Sequence, residues 1–304
     1  MIVTAVLFTL LSGCAMASVY MIVSRIAREQ ISFFQFYTVS NLIAGSAAWM
    51  IFPEWSIVPD INWLPVLLMT GGIALVNVMS QGALVCAFKW GHNGLTVAIR
   101  NSASMLSMFW GILFLHEKVS IVNFAGAVLM ISALALIALS GKKGPDAPNL
   151  KKWLPAALCS MLFSGAYQII LSATALLPEN VHKAGVLVPC LMTFCGIGNF
   201  LASLVENRIA PRQQKFWHFP KKVLQVMGFW VFTALVQYFL LVRALAYMQK
   251  AGMSSLAWPM LVGINVGTFS LFCRLKWKEK YNLSTIIGML GCISGLILII
   301  WGRK

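Results

Sequence analysis

Charge is scarce in this 304-residue chain: only 10% of its residues are Asp, Glu, Lys or Arg, and the acids number eight. A soluble domain carries about 25% charge, so an ordinary water-facing surface is excluded. The chemical motifs that are missing narrow the reading further. There is no HExxH, no carboxylate pair within an apolar run and no phosphate-binding glycine loop, so neither hydrolysis nor nucleotide-driven work has its machinery here, and the chain is read as no enzyme. The seven cysteines form no CxxC pair and have no His partners at metal spacing. They read as small buried hydrophobes, and no metal or cofactor is expected. The net charge of +15 does not imply nucleic acid, because no basic run with interleaved aromatics sits in a soluble segment large enough to fold.

Apolar sequence is abundant instead. Hydrophobic residues make up 60% of the chain and mean hydropathy is +0.83. Runs of roughly 20 apolar residues recur from end to end, each long enough to cross about 30 Å of hydrocarbon as a helix. A backbone in lipid must satisfy its own hydrogen bonds, which leaves helices as the spanning element. The expected class is an all-α polytopic membrane protein with ten transmembrane helices, near 2–24, 32–52, 64–88, 94–115, 120–140, 153–177, 185–206, 223–248, 254–273 and 281–301. Leu11-Ser12-Gly13-Cys14 resembles a lipid-attachment site, but no positive charge precedes it, and Ser-Gly recurs at Ser164-Gly165. Residues 2–24 therefore read as a retained helix.

The second half of the chain repeats the first. Asn41-Leu-Ile-Ala and Asn199-Phe-Leu-Ala lie 158 positions apart, as do Gly94 and Gly252, while Glu117-Lys118 and Glu279-Lys280 lie 162 apart. Gly126 and Gly288 each follow nine residues after those glutamates. A drifting offset of this kind is what duplication followed by loop changes leaves. Five spans per unit is an odd number, so the two units must be inverted relative to each other. The expected division is a first five-helix repeat at 1–141, a linker at 142–152 and a second repeat at 153–304. Sixteen Lys and Arg fall in connections after odd-numbered spans, Lys142, Lys143, Lys151 and Lys152 among them, against five on the other side. By the positive-inside rule the first side is cytoplasmic and both termini are external.

Leu113-Phe-Leu-His-Glu117-Lys118 with Gly126, and Leu275-Lys-Trp-Lys-Glu279-Lys280 with Gly288, resemble the doubled motif of the drug/metabolite transporter superfamily with EamA-type repeats. The usual Gly before each Glu is replaced by His116 and Lys278. The basic first connection, the second one without Lys or Arg and Asn77-Val-Met-Ser-Gln-Gly82 also look like the rhamnose–proton symporter branch. The resemblance implies alternating access around a cavity lined mainly by the third, fourth, eighth and ninth helices. It also implies cytoplasmic termini, against which the charge count is preferred.

Polar groups at bilayer depth are expensive, so their clustering points to a pathway. Asn77 and Gln81 share one face of the third span, one turn apart. Gln237 and Tyr238 lie at matching depth in the eighth, and Trp258 and Asn265 in the ninth. Asn101 and Gln168 complete the set expected to contact substrate, together with Arg100. Asn41 and Asn199, at equivalent positions of the two repeats, suit packing between helices. Arg100 is six positions into its span, about 9 Å at 1.5 Å per residue. It either anchors a substrate carboxylate through its planar fork or snorkels to the nearby surface. Every acid sits at a span end or in a connection, so Glu117, Glu206 and Glu279 serve either as coupling groups on the rim or as helix-end caps.

Amides with Tyr and Trp suit hydroxyl-rich or zwitterionic solutes. The expectation is a multi-pass protein of the plasma (inner) membrane, a monomer or homodimer, carrying a small polar metabolite by alternating access. Proton coupling stands beside exchange and facilitated diffusion. The alternatives are a rhamnose-type proton–sugar symporter and, in another class, a non-transporting receptor or scaffold. The charge asymmetry makes a prediction of its own. Reporter fusions after Lys143 should read cytoplasmic and fusions at Lys304 external; swapped readings would reverse the orientation.

Overall fold

The computed structural model describes residues 2–26, 32–90, 96, 99–117, 119–139, 150–209, 219–277 and 283–302. The Glu279-Lys280 motif, Lys278 and most of the predicted linker lie outside the described residues. Among the described residues there is no strand. Ten long helices follow one another: α1 (Ile2–Ile26), α2 (Phe33–Ile51), α3 (Trp63–Trp90), α4 (Ala103–Phe114), α5 (Ile121–Leu139), α6 (Leu150–Ala173), α7 (Leu187–Ile209), α8 (Lys221–Lys250), α9 (Ser254–Trp277) and α10 (Leu283–Trp301). Among the described residues, Trp63–Ala87, Lys151–Leu176, Leu187–Arg208 and Lys221–Lys250 are long and apolar enough to cross a membrane, with shorter apolar helices at Val3–Val19, Ile121–Ala133 and Leu256–Asn265.

Two local features differ from the expectation. The fourth span does not run unbroken over 94–115. Residues 99–101 are helical, Ser102 is a turn, and α4 begins after it. The Ser102 N–H bonds to the Ile99 carbonyl at 3.2 Å and the Met105 N–H to the Ser102 carbonyl at 3.0 Å. These are tightened three-residue bonds in place of the α ladder. Ser104 Oγ takes the Asn101 carbonyl at 3.0 Å, so serine hydroxyls compete with the backbone for its acceptors.

The second feature is a short helix, Glu179–Ala184, between α6 and α7. Pro178 precedes it and Gly185, at φ 70°, ends it in the left-handed region. It is tied to the connection after α2 by the Glu54 N–H to the Ala184 carbonyl at 3.1 Å and by Asn180 Nδ2 to the Asp60 carbonyl at 3.2 Å. Val181 and Ala184 close a small apolar core with Ile61, Val66, Leu177 and Leu187. His182 of this helix is half-buried, and burial pushes its imidazole below the usual histidine range.

The most extensive helix–helix contacts pair α5 with α10, α3 with α6, α1 with α8 and α2 with α7. Next come α1 with α9, α3 with α7, α4 with α6, α4 with α9, and α2 with α8. Exchanging each of the first five helices for its counterpart among the last five maps these pairs onto one another. Weaker contacts of α9 with α10, α5 and α8, and of α7 with α8, fall outside the scheme. Asn41 and Asn199 obey the same exchange: each donates Nδ2 to the carbonyl four residues back, Tyr37 and Cys195, both at 2.7 Å. They brace their own helices.

The α5–α10 contact depends on small residues. A Cβ at Gly295 would lie 2.6 Å from the Gly126 carbonyl, and one at Gly291 would lie 2.8 Å from Ala133 Cβ. Such backbone approach is how helices associate where no water drives them together. Gly295→Leu should destabilise the purified protein by about 1–3 kcal/mol through overpacking, read as a lower thermal unfolding midpoint. Gly71→Ala, where an added Cβ meets nothing within 4 Å, should leave the midpoint near the parent's. Equal midpoints for both variants would refute close packing at Gly295.

Candidate solute cavity between the two halves

Polar side chains from both halves converge on one cavity of about 70 Å³. It is lined by Met16 and Val19 of α1, Tyr37 and Asn41 of α2, Asn77 and Gln81 of α3, Arg100 just before α4, Tyr167 of α6, Trp230, Gln237 and Tyr238 of α8, and Trp258 of α9. Six of the nine residues singled out from sequence therefore meet: Asn77, Gln81, Arg100, Gln237, Tyr238 and Trp258. The third, eighth and ninth helices line it as expected, the fourth span contributes only Arg100 before α4, and the first, second and sixth helices join them.

Asn101, Gln168 and Asn265 stand outside the lining. Gln168 is buried between α6 and α4, where its Oε1 accepts the Ser107 hydroxyl at 3.3 Å. Asn265 is buried within α9. The Asn101 carbonyl is held by Ser104 at the helix break. Met16, Val19, Tyr37 and Trp230 were not singled out from sequence, because apolar and aromatic residues on a helix read as core. A signal existed for two of them: Trp230 lies two turns before Gln237 and Tyr37 one turn before Asn41, which puts each on its partner's face.

The lining groups differ in what remains open to a ligand. Asn41 is committed to the Tyr37 carbonyl, and Asn77 Nδ2 lies 3.7 Å from Cys195 Sγ. Gln81 and Gln237 make no side-chain hydrogen bond, although Gln237 is only 5% exposed. Their amides face the cavity with donors and acceptors unused. Arg100 brings the one positive charge among the lining residues, and none of those residues is acidic.

Aromatic rings shape the rest. Tyr37 packs edge-on against Trp230 with centroids 5.2 Å apart, and Tyr167 against Trp258 at 6.0 Å. The Tyr167 hydroxyl donates to Tyr238 Oη at 3.3 Å, joining α6 to α8. Trp258 Nε1 donates to Ser172 Oγ at 2.8 Å, joining α9 to α6. The polar tips of the rings thus fix helix positions while their faces bound the space.

Two rim carboxylates serve as helix-end ties. Glu117, after α4, accepts the backbone N–H of Ser254 at 2.7 Å. It thereby caps the first turn of α9, where the helix dipole favours an anion. At the opposite rim Ser32 Oγ donates to Glu206 Oε2, linking the start of α2 to the end of α7. Glu279 lies outside the described residues.

The helices and the family comparison define an integral, multi-pass, α-helical membrane protein. More particularly, residues 4–139, which hold α1 to α5, match the model of the EamA-like transporter family. A solved structure titled only "Crystal structure of protein" shares the fold at a TM-score of 0.72 and 12% identity, covering 98% of this chain and 97% of its own. No curated protein matches.

The Glu117 contact is directly testable. Glu117→Ala should cost about 1–2 kcal/mol of stability, the range for losing a side-chain cap, while Glu117→Gln, which keeps an acceptor, should cost less. Equal unfolding midpoints for parent and alanine variant would show that Glu117 does not hold α9.

Proposed function

We propose that this chain is a secondary transporter that moves a small polar solute across the plasma (inner) membrane by alternating access about the central cavity. One observation carries the reading: a cavity between the two halves, lined by amides and aromatic rings from five of the ten long helices and by the Arg100 guanidinium just before α4. Polar groups such as the Gln81 and Gln237 amides, which make no side-chain hydrogen bond, are costly in hydrocarbon, and a pathway is what justifies them.

The reading includes ten spans in two inverted five-helix repeats, 1–141 and 153–304, joined by 142–152. The sequence repeat supports it, and so do the helix pairs that exchange halves and the matched braces at Asn41 and Asn199. An interface between two such units is where rocking of one against the other would expose a site to each side in turn. The EamA-like domain at 4–139 supports transport as the activity.

The rhamnose–proton branch rests on the sequence likeness alone. With no acid among the lining residues, proton coupling would have to run through the rim carboxylates, two of which are engaged as helix-end ties. Exchange or facilitated diffusion asks less of these residues. No particular observation favours a receptor or scaffold.

The test is a thermal-shift screen of purified protein against organic acids, sugars, amino acids and nucleosides, followed by counterflow of the stabilising solute in proteoliposomes. Gln81→Ala should lower flux about tenfold at unchanged abundance, the size of effect from losing about one hydrogen bond to the solute. Gln81→Cys should react with water-borne thiol reagents and be protected by solute. Absence of flux for every solute, with Gln81→Cys inert, would refute the transport reading.

A further inference from the structure

Resting on that transport reading, we propose that Trp230 is a solute-contact residue whose indole N–H donates to an oxygen of the solute, so that the cavity selects oxygen-bearing polar solutes over organic cations. The starting point is an unmet donor. Trp230 of α8 lines the cavity and is only 2% exposed. Its Nε1 is buried with no hydrogen-bond partner among the described residues. The other two buried tryptophans among the described residues do bond, Trp153 Nε1 to Thr96 Oγ1 and Trp258 Nε1 to Ser172 Oγ, each at 2.8 Å. An indole N–H can only donate, and a buried donor left unpaired is costly. Such a donor is explained when the space it borders is filled at some stage by a group that accepts.

The protein leaves Trp230 little freedom to find a partner of its own. Its ring is held edge-on by Phe36 and Tyr37, with centroids 6.1 Å and 5.2 Å away. It packs in an apolar cluster that includes Met192, Met227 and Val231, side chains with no strong acceptor.

Two further groups await the same kind of partner. Gln237 follows Trp230 two turns along the same face of α8, and Gln81 stands on α3 in the other half of the chain. Both line the cavity and make no side-chain hydrogen bond. Each amide offers N–H donors and a carbonyl acceptor, so the three groups together present more donors than acceptors. Hydroxyl and carbonyl oxygens match that set, whereas an ammonium, which has donors only, leaves Trp230 unpaired. Rings around a cavity would otherwise suit a cation over an open face. Here Tyr37 with Trp230, and Tyr167 with Trp258, meet edge-on, so in each pair a ring edge already covers a ring face.

The experiment uses the full-length protein with its tryptophans isotope-labelled at the indole nitrogen. It reads the indole N–H resonances in nanodiscs and counterflow in proteoliposomes. The oxygen-bearing probes are erythritol, lactate, alanine and uridine; the cationic probes without oxygen are butylammonium and tetramethylammonium. At least one oxygen-bearing probe should exchange, and every one that exchanges should move the Trp230 N–H proton downfield. Trp230→Phe, which keeps a ring and identifies the resonance by its loss, should lower exchange of that probe about tenfold at equal abundance, the effect of losing one hydrogen bond. Neither cationic probe should exchange. The comparison between the two probe sets on the parent protein stands even if Trp230→Phe fails to fold.

Exchange of butylammonium or tetramethylammonium at the rate of an oxygen-bearing probe would leave transport intact and overturn the selection. A Trp230 resonance unmoved by a probe that exchanges would overturn the contact, as would exchange at the parental rate by Trp230→Phe. No exchange and no moved resonance with any probe would overturn both the contact and the transport reading.

Discussion

A polar group inside hydrocarbon has no water to fall back on, and the rest of this molecule is arranged around that constraint. The backbone meets it by forming helices. Side chains meet it in three ways. Some bond to their own helix, as Asn41 and Asn199 do with the carbonyl one turn back. Others bond across helices: Ser80 and Ser160 exchange hydroxyl-to-carbonyl bonds at 3.1–3.2 Å between α3 and α6, and Trp258 bonds to Ser172. Gln81 and Gln237 do neither: their side chains make no hydrogen bond and line the cavity. Sorting polar residues by where their hydrogen bonds go separates structural braces from candidate solute contacts more sharply than depth does.

The same sorting explains how much was legible in sequence. Asn77 with Gln81, and Gln237 with Tyr238, were legible because helical spacing alone puts each pair at one height. Arg100 was legible because a guanidinium in an apolar run needs a reason. Gln168 read in the same way, yet its partner is Ser107, 61 positions earlier on α4. No local pattern reports such a contact. Trp230 and Met16 were illegible for the opposite reason, since an apolar residue against a cavity and one against a core share a pattern. The short helix at Glu179–Ala184 had usable signals in Pro178 and Gly185 but was too short to raise a periodicity. The break at Ser102 lay hidden in an Asn-Ser-Ala-Ser stretch whose hydroxyl-to-backbone bond shows only once the fold is formed.

The rim ties give the paired architecture its joints. Glu117 belongs to the first half and caps α9 of the second, while Glu206 belongs to the second and holds the N-cap residue of α2 in the first. They lie at opposite ends of the bundle, counting helix direction from α2 and α9. Each crosses between halves, and each is a charge-assisted bond to a helix start. That is a strong yet localised contact that can break without disturbing a core. Glutamate at the end of α4 is thus used for attachment, consistent with its peripheral place in the sequence.

Arg100 and the break at Ser102 occupy the same stretch, and their costs share one solution. A turn within a span leaves α-helical bonds unmade, and a guanidinium at that depth demands polar surroundings; either alone would be hard to accommodate in lipid. Placed together beside a cavity lined by amides, both draw on one polar environment. Irregular backbone at membrane depth is tolerated where it borders such a space. The aromatic part of the lining is built differently: Tyr167 bonds to Tyr238 and Trp258 to Ser172, so these rings bound the space while their polar atoms hold helices together.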